Sequence, residues 1–256
     1  MENGNKPVLL EARDLVHSFR DGSRGLEGAS FMLREGDFMV MAGPNGSGKT
    51  LLMRHLIGLR KPDSGDVFYR GRPIHEDIGQ VRARVGLVFQ EAESQIVGQT
   101  VAEDVAFGPS NLRLGRAEVA RRTAAALDAV DLSWAGDRRP DSLSGGERRR
   151  LAIAGILAMD AECIILDEPF ANLDLLSVRL VLRSLVDLHG SGRTILVLTH
   201  ELEKVLAQAT RLLVMAGGKI VFDGPPEGPG RGAFEAYGLM DPFRGGLSRR
   251  ELSWLS

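Results

Sequence analysis

The sequence predicts an α/β fold: a parallel sheet core, an antiparallel β unit at its N-terminal end and a helical insertion. Three observations carry this. The runs 38–43, 85–90, 163–167, 194–199 and 211–216 are almost wholly apolar, as in strands covered on both faces. The N-terminal third instead holds short segments of period two, broken by Gly, Asp and Ser, which suit an antiparallel sheet with one wet face. Residues 91–158 carry mainly helical pattern between two of the apolar strands.

In chain order, "VLLEARDLVHSF", "LEGASFML" and "GDVFYRG" are the half-polar strands, and "FMVMAG" opens the buried set. A helical pattern over 49–58 follows, then the strand "VGLVFQ" and a polar, acidic loop. Thr100 and Glu103 form a T-x-x-E capping box for the next helix, and Gly108-Pro109 reads as its stop signal. "RAEVARRTAAALDAV" and most of "ERRRLAIAGILAM" complete the helical stretch. "CIILD", a helix over 174–189, "TILVLT", a helix over 201–208 and "RLLVMA" return to the core. From Gly224 the chain has a linker composition, "GPPEGPGRG". It ends in "FRGGLSRRELSWLS", whose Leu247, Leu252, Trp254 and Leu255 suit either a dimer contact or a cover for the core. The expected units are 1–90 with 159–225 as the core, 91–158 as the inserted helical subdomain and 226–256 as a short tail.

Composition is that of a globular protein, 43% hydrophobic and 26% charged. A net charge of −2 and the absence of a basic stripe argue against nucleic acid as a partner. "RRR" at 148–150 is too small for one and reads as a solvated or phosphate-proximal turn. The N-terminus lacks the apolar core of a signal peptide, and no run reaches the ~18 apolar residues of a membrane span. Cys163 is the only cysteine, so one chain can build neither a disulfide nor a zinc cage; it reads as a small apolar residue of a buried strand.

"GPNGSGKT" fits G-x-x-x-x-G-K-[ST] over Gly43, Pro44, Asn45, Gly46, Ser47, Gly48, Lys49 and Thr50. It lies between a strand and a helix, as that motif requires. Glycines let backbone N–H groups curl around phosphates, Lys49 reaches the terminal phosphates, and the Thr50 hydroxyl is placed to ligate Mg²⁺. "CIILDEP" ends a buried strand with Asp167 and Glu168, facing the crevice at the carboxyl edge of a parallel sheet. One carboxylate suits a water-mediated hold on Mg²⁺, and the other suits general-base work on an attacking water. His200 ends another core strand.

Ser144 and Glu147 form a second capping box, with Gly145 and Gly146 between them. Bare backbone amides at a helix N-terminus can approach an anion closely. A second phosphate-binding helix end beside a single phosphate loop suggests a nucleotide shared between two subunits.

In this order the motifs resemble the nucleotide-binding subunit of ATP-binding cassette (ABC) transporters over residues ~8 to ~225. The resemblance implies the P-loop (RecA-like) ABC ATPase fold, with ATP and Mg²⁺ as ligands. Gly43–Thr50 matches the Walker A loop, and Gln90 matches the Q-loop glutamine at the Mg²⁺ and attacking water. Leu143–Glu147 matches the LSGGQ signature, implying contact with ATP in trans by Ser144, Gly145, Gly146 and Glu147. Cys163–Glu168 matches the Walker B strand with Glu168 as catalytic glutamate, Ala171, Asn172, Leu173 and Asp174 the D-loop, and His200 the switch histidine. Phe19 falls where the family places an aromatic that stacks on adenine. Glu147 replaces the usual Gln, although either completes a capping box; Ala171 stands where Ser is frequent. The family implies head-to-tail dimerisation with a second ATPase subunit, either itself or a paralogue.

Chromosome-type relatives insert long coiled coils between phosphate loop and signature, whereas about ninety residues without sustained heptads lie here. Ribosome-associated versions usually carry two cassettes per chain; an ATPase of another ABC importer class, or a regulatory ABC ATPase outside transport, is the alternative reading. Among transporters, "FQEAESQIVGQTVAEDVAFGP" and "AIAGILAM" look like the ATPases of energy-coupling factor (ECF) importers, which take up vitamins or cobalt and nickel ions. In that group a second glutamine follows the first by five residues, as Gln95 follows Gln90. The resemblance implies a transmembrane T component that docks arginine-bearing helices in a groove lined by Glu91 and Glu93, with Gln95 also on that face. It further implies a separate substrate-binding membrane component and a place at the cytoplasmic face of the membrane.

Overall fold

The computed structural model describes residues 6–230 and 232–255. Two sheets organise them. Strands β1 (Val8–Ser18), β2 (Arg24–Arg34), β4 (Ser64–Tyr69) and β5 (Arg72–Pro73) form an antiparallel sheet in the order β2-β1-β4-β5. The second sheet joins β3 (Phe38–Ala42), β6 (Val85–Val88), β7 (Cys163–Asp167), β8 (Thr194–Thr199), β9 (Arg211–Ala216) and β10 (Lys219–Gly224). Its order is β10-β9-β3-β8-β7-β6; the five apolar strands run parallel and β10 is an antiparallel edge.

Every residue of β3, β7 and β8 is buried because both faces of this sheet are covered. Side chains alternate across a strand, so β3 serves two cores at once. Phe38, Val40 and Ala42 join one cluster with α6 (Leu175–Gly190), whose Val178, Val181, Leu182, Leu185 and Leu188 are buried at helical spacing. Met39 and Met41 join the other, with Leu52, Met53 and Leu56 of α1 (Lys49–Leu56) and the inner face of the antiparallel sheet. Cys163 and Ile165 of β7 point into this second cluster, while Ile164 and Leu166 point into the first. The Cys163 thiol is buried, and burial pushes its pKa up strongly.

A short helix α2 (Ile78–Arg84) precedes β6. Between β6 and β7 run α3 (Val101–Asn111), α4 (Arg116–Ala129) and α5 (Gly145–Ala158), which pack on one another. The Thr100–Glu103 and Ser144–Glu147 capping boxes are both formed. Gly108-Pro109, however, is no stop: α3 continues through it to Asn111. Gly108 serves packing instead, since a Cβ there would lie 2.5 Å from Cγ of Met159 at the end of α5. Close helix approach overrides the local breaker signal.

Two other expectations change, and the tail takes one of the two roles that its sequence left open. Residues 201–208 form two 3₁₀ turns, Leu202–Lys204 and Leu206–Gln208, separated at Val205 (φ −134°, ψ −20°). The buried positions Leu202, Val205 and Leu206 keep the helical spacing that the sequence displayed. Arg149 and Arg150 are buried rather than solvated, because backbone carbonyls accept from both. The tail beyond Gly224 folds back on the core. Its short helix α7 (Ala233–Ala236) buries Phe234, and Leu239 and Leu252 are buried as well. No described helix is long and apolar enough to cross a membrane.

Candidate functional site

The register of the parallel sheet assembles the site. Ala42 of β3 pairs with Thr199 of β8, and Leu198 pairs with Asp167 of β7. The three strands therefore end together, and Gly43, His200 and Glu168 leave the same carboxyl edge, where parallel sheets bind ligands.

After β3 the chain turns through the glycine loop into α1. Gly46 and Gly48 adopt φ +79° and +103°, conformations open to glycine. Gly43 has no room for a side chain: a Cβ would meet the Met215 carbonyl oxygen and Ser47 Oγ at 2.5 Å. Lys49 is 6% exposed, and its Nζ donates to the carbonyls of Gly43 (2.6 Å) and Pro44 (3.3 Å). It stands 3.7 Å from Oε1 of Glu168. Burial holds the Lys49 ammonium below its ordinary value, against the opposing pull of Glu168 and Asp167.

The Thr50 hydroxyl donates to Oδ2 of Asp167 at 2.7 Å. Burial raises the Asp167 carboxyl above its ordinary value; the Thr50 bond opposes this and Glu168 adds to it. The other oxygen, Oδ1, is buried without a hydrogen-bond partner, as is Ser47 Oγ. A buried carboxylate oxygen with no donor, beside a hydroxyl at the start of α1, fits a hard divalent cation held by oxygens.

Glu168 is the catalytic candidate with the most support around it. Thr199 Oγ1 donates to Oε2 at 2.9 Å, and Nδ1 of His200 lies 2.9 Å from Oε1. Its backbone is left-handed (φ +46°), which costs a non-glycine residue about 1–3 kcal/mol and concentrates at functional sites. The Glu168 amide donates to Leu198 O at 2.8 Å, so β8 holds the turn from both backbone and side chain.

A cleft of about 330 Å³ brings Phe19, Asn45–Thr50, Gln90 and Glu168 together. Phe19 sits in the β1–β2 connection, 42% exposed, with its ring edge-on to His17. The signature residues are not among those lining this cleft. Ser144 Oγ accepts from Glu147 N, and Glu147 Oε2 accepts from Ser144 N at 2.7 Å, so Glu does the capping work of Gln. Ser144 and Gly145 are exposed at the start of α5, while Gly146 packs so closely that a Cβ would lie 2.6 Å from Ser177 Cβ. Of the paired glycines, then, only Gly145 is open to a partner. In the D-loop, Ala171 N donates to Glu168 O, Asn172 is left-handed (φ +59°), Leu173 is half-buried, and Asp174 caps α6 by accepting from Ser177 N at 2.7 Å.

The loop after β6 differs from expectation. Gln95 does not face outward: its Oε1 accepts from Phe89 N and its Nε2 donates to Leu87 O, both at 2.8 Å. Its amide mimics one more strand at the β6 edge. Glu93 pairs with Arg148 at 2.8 Å and lines a groove of about 830 Å³ that also takes in Thr100, Arg139 and Arg148. Glu91 is exposed but lies outside that groove lining. Two residues of the site escaped the sequence. Thr199 left one signal, a hydroxyl at the end of an apolar strand. Arg149 left none, because a run of arginines looks like a wet surface.

The family profile for ABC transporters matches residues 26–171. An energy-coupling factor transporter ATP-binding protein of Methanocaldococcus jannaschii is 42% identical, over 86% of this chain and 80% of its own length. The cobalt import ATP-binding protein of Syntrophus aciditrophicus is 46% identical, over 86% of this chain and 79% of its own length. The solved structure of CbiO1 from Clostridium perfringens, part of an ABC transporter complex, superposes with a TM-score of 0.81. It is 31% identical and covers 87% of this chain and 90% of its own. With the phosphate loop, the paired carboxylates and the capped signature helix in place, the chain belongs to the ABC transporter family, as a nucleotide-binding, ATP-hydrolysing subunit of the energy-coupling factor importer type.

Proposed function

We propose that two chains, identical or paralogous, close head to tail on ATP and Mg²⁺ and so drive uptake of a cobalt or nickel ion or a vitamin through membrane subunits. The observation that carries this reading is the meeting of Lys49, the Thr50–Asp167 pair and the His200-supported Glu168 at one sheet edge. Lys49 and the loop amides hold the phosphates, with Phe19 stacking on the base. Thr50, Asp167 and Gln90 hold Mg²⁺, which when bound neutralises charge on the phosphates. Glu168 takes a proton from the attacking water, with Thr199 and His200 orienting its two oxygens. Ser144 and Gly145 complete the site from the facing chain, where exposed amides at a helix N-terminus suit the terminal phosphate.

The cobalt-importing relative supports the choice of cargo class. The groove beside α3 supports docking of a transmembrane component, with Glu93 receiving a cationic side chain, and in this reading the chain works at the cytoplasmic face of the membrane. Glu168→Gln tests the chemistry: phosphate release falls by about 10²–10⁴-fold while ATP still binds, and release at the wild-type rate would remove Glu168 from the mechanism. Glu91→Lys with Glu93→Lys tests the docking. The variant loses co-purification with the membrane subunits yet binds nucleotide normally; full co-purification overturns the groove assignment.

A further inference from the structure

Arg149 sits at the start of the second turn of α5, 6% exposed, two residues after the signature capping box. Its Nη1 donates to two carbonyl oxygens, Phe89 O at 3.0 Å and Gln90 O at 2.7 Å. Its Nε is buried without a partner. A buried guanidinium is costly and persists where its hydrogen bonds define a geometry. Here that geometry is specific. The two carbonyls belong to the peptide units on either side of the Gln90 Cα. Fixing both planes fixes the direction in which the Gln90 side chain leaves the backbone; that side chain makes no hydrogen bond among the described residues and lines the cleft beside Thr50 and Glu168.

The neighbouring contacts make a continuous strap. Gln95 holds Phe89 N from the other side, and Arg148 bonds both Glu93 and Leu143 O, the residue before the Ser144 cap. Consecutive arginines of one helical turn thus join the loop that carries Gln90 to the helix end that carries Ser144.

We propose that Arg149 is a positioning residue for ATP hydrolysis, aiming Gln90 into the nucleotide cleft and making that aim depend on the place of the signature helix. The proposal rests on the reading of Gln90 as a group at the Mg²⁺ and attacking water. Arg149 itself touches neither nucleotide nor metal. Its loss acts through Gln90 and leaves the phosphate loop and Phe19 as they are.

The test is a mutant cycle on the full chain with its associated subunits, using Gln90→Ala, Arg149→Met, Arg149→Lys and the doubles with Gln90→Ala. Arg149→Met lowers kcat by about ten- to a hundredfold, the scale of a misplaced group, while the equilibrium affinity for ATP holds. Arg149→Lys recovers part of the rate, since an ammonium can donate to both carbonyls. In the Gln90→Ala background neither Arg149 change slows turnover further, the non-additivity expected of residues acting as a unit. Multiplicative losses in the double variants overturn the proposal. Should Gln90→Ala alone turn over at the wild-type rate, the reading of Gln90 fails instead. If Arg149→Met does not fold by circular dichroism, the Arg149→Lys arm completes the same cycle.

Discussion

Nδ1 of His200 lies 2.9 Å from Oε1 of Glu168, on the side of the carboxylate opposite the 2.9 Å bond from Thr199 to Oε2. Both partners come from the end of β8, the strand between the phosphate-loop strand and the strand that delivers Glu168. The strand at the centre of this edge therefore supplies a partner to each oxygen of the Glu168 carboxylate.

His200→Ala removes half of that support. It is expected to lower kcat by about 10²-fold or more, the range for losing a partner in proton transfer, with ATP affinity preserved. Steady-state phosphate release and equilibrium nucleotide binding, measured on the same preparation, separate the two effects. A parallel loss of affinity would mean that His200 shapes the pocket rather than the base.

Gly86 on β6 faces α5, and a Cβ there would come within 2.0 Å of Ile156 Cγ2. Gly86→Ala overpacks this contact and is expected to cost about 1–3 kcal/mol. Adding Ile156→Val returns part of the loss, as chemical denaturation would show.

The tail packs on the core that surrounds the nucleotide sheet, with Phe234 1% exposed. Phe234→Ala is expected to cost about 3–5 kcal/mol, as for other buried aromatic truncations. A change within experimental error would instead mark the tail as dispensable for stability.

Glu162, just before β7, receives hydrogen bonds from Arg70 and Tyr69, which tie the antiparallel sheet to the parallel one. Burial works to raise its carboxyl, but those bonds outweigh burial and hold it below the ordinary 4.5. A depressed carboxyl adds stability above its unfolded value and loses it as pH falls through its folded value. Arg70→Met therefore lowers the melting temperature at neutral pH, and the gap to wild type narrows as pH drops below 4.5. A gap independent of pH would assign the loss to packing.

How far the sequence reaches depends on where the partners lie. The phosphate loop, the Asp167-Glu168 pair and both capping boxes are legible because each is a local pattern with its physics in a few adjacent residues. The buried strands are legible because a sheet covered on both faces leaves no polar face to read. Arg149 and Arg150 are not, since the carbonyls that bury them lie 59 and 20 residues away. Gln95 has its acceptor and donor nearby, but a glutamine in an acidic loop looks like surface until it folds onto the strand edge. Gly108-Pro109 misleads because glycine marks helix ends and close helix contacts alike. The tail is legible in part: covering the core was one of the two roles open to Leu252, whereas "GPPEGPGRG" gives no sign of the buried Phe234 that follows.

In the proposed cycle ATP closes two chains around a site that Glu168 reopens by hydrolysis. Light scattering on size-exclusion eluates of Glu168→Gln, with ATP and Mg²⁺, tests it most directly. A stable dimer is expected that requires ATP and disappears when Ser144→Arg blocks the signature helix end. A Glu168→Gln chain that binds ATP and remains monomeric would contradict it.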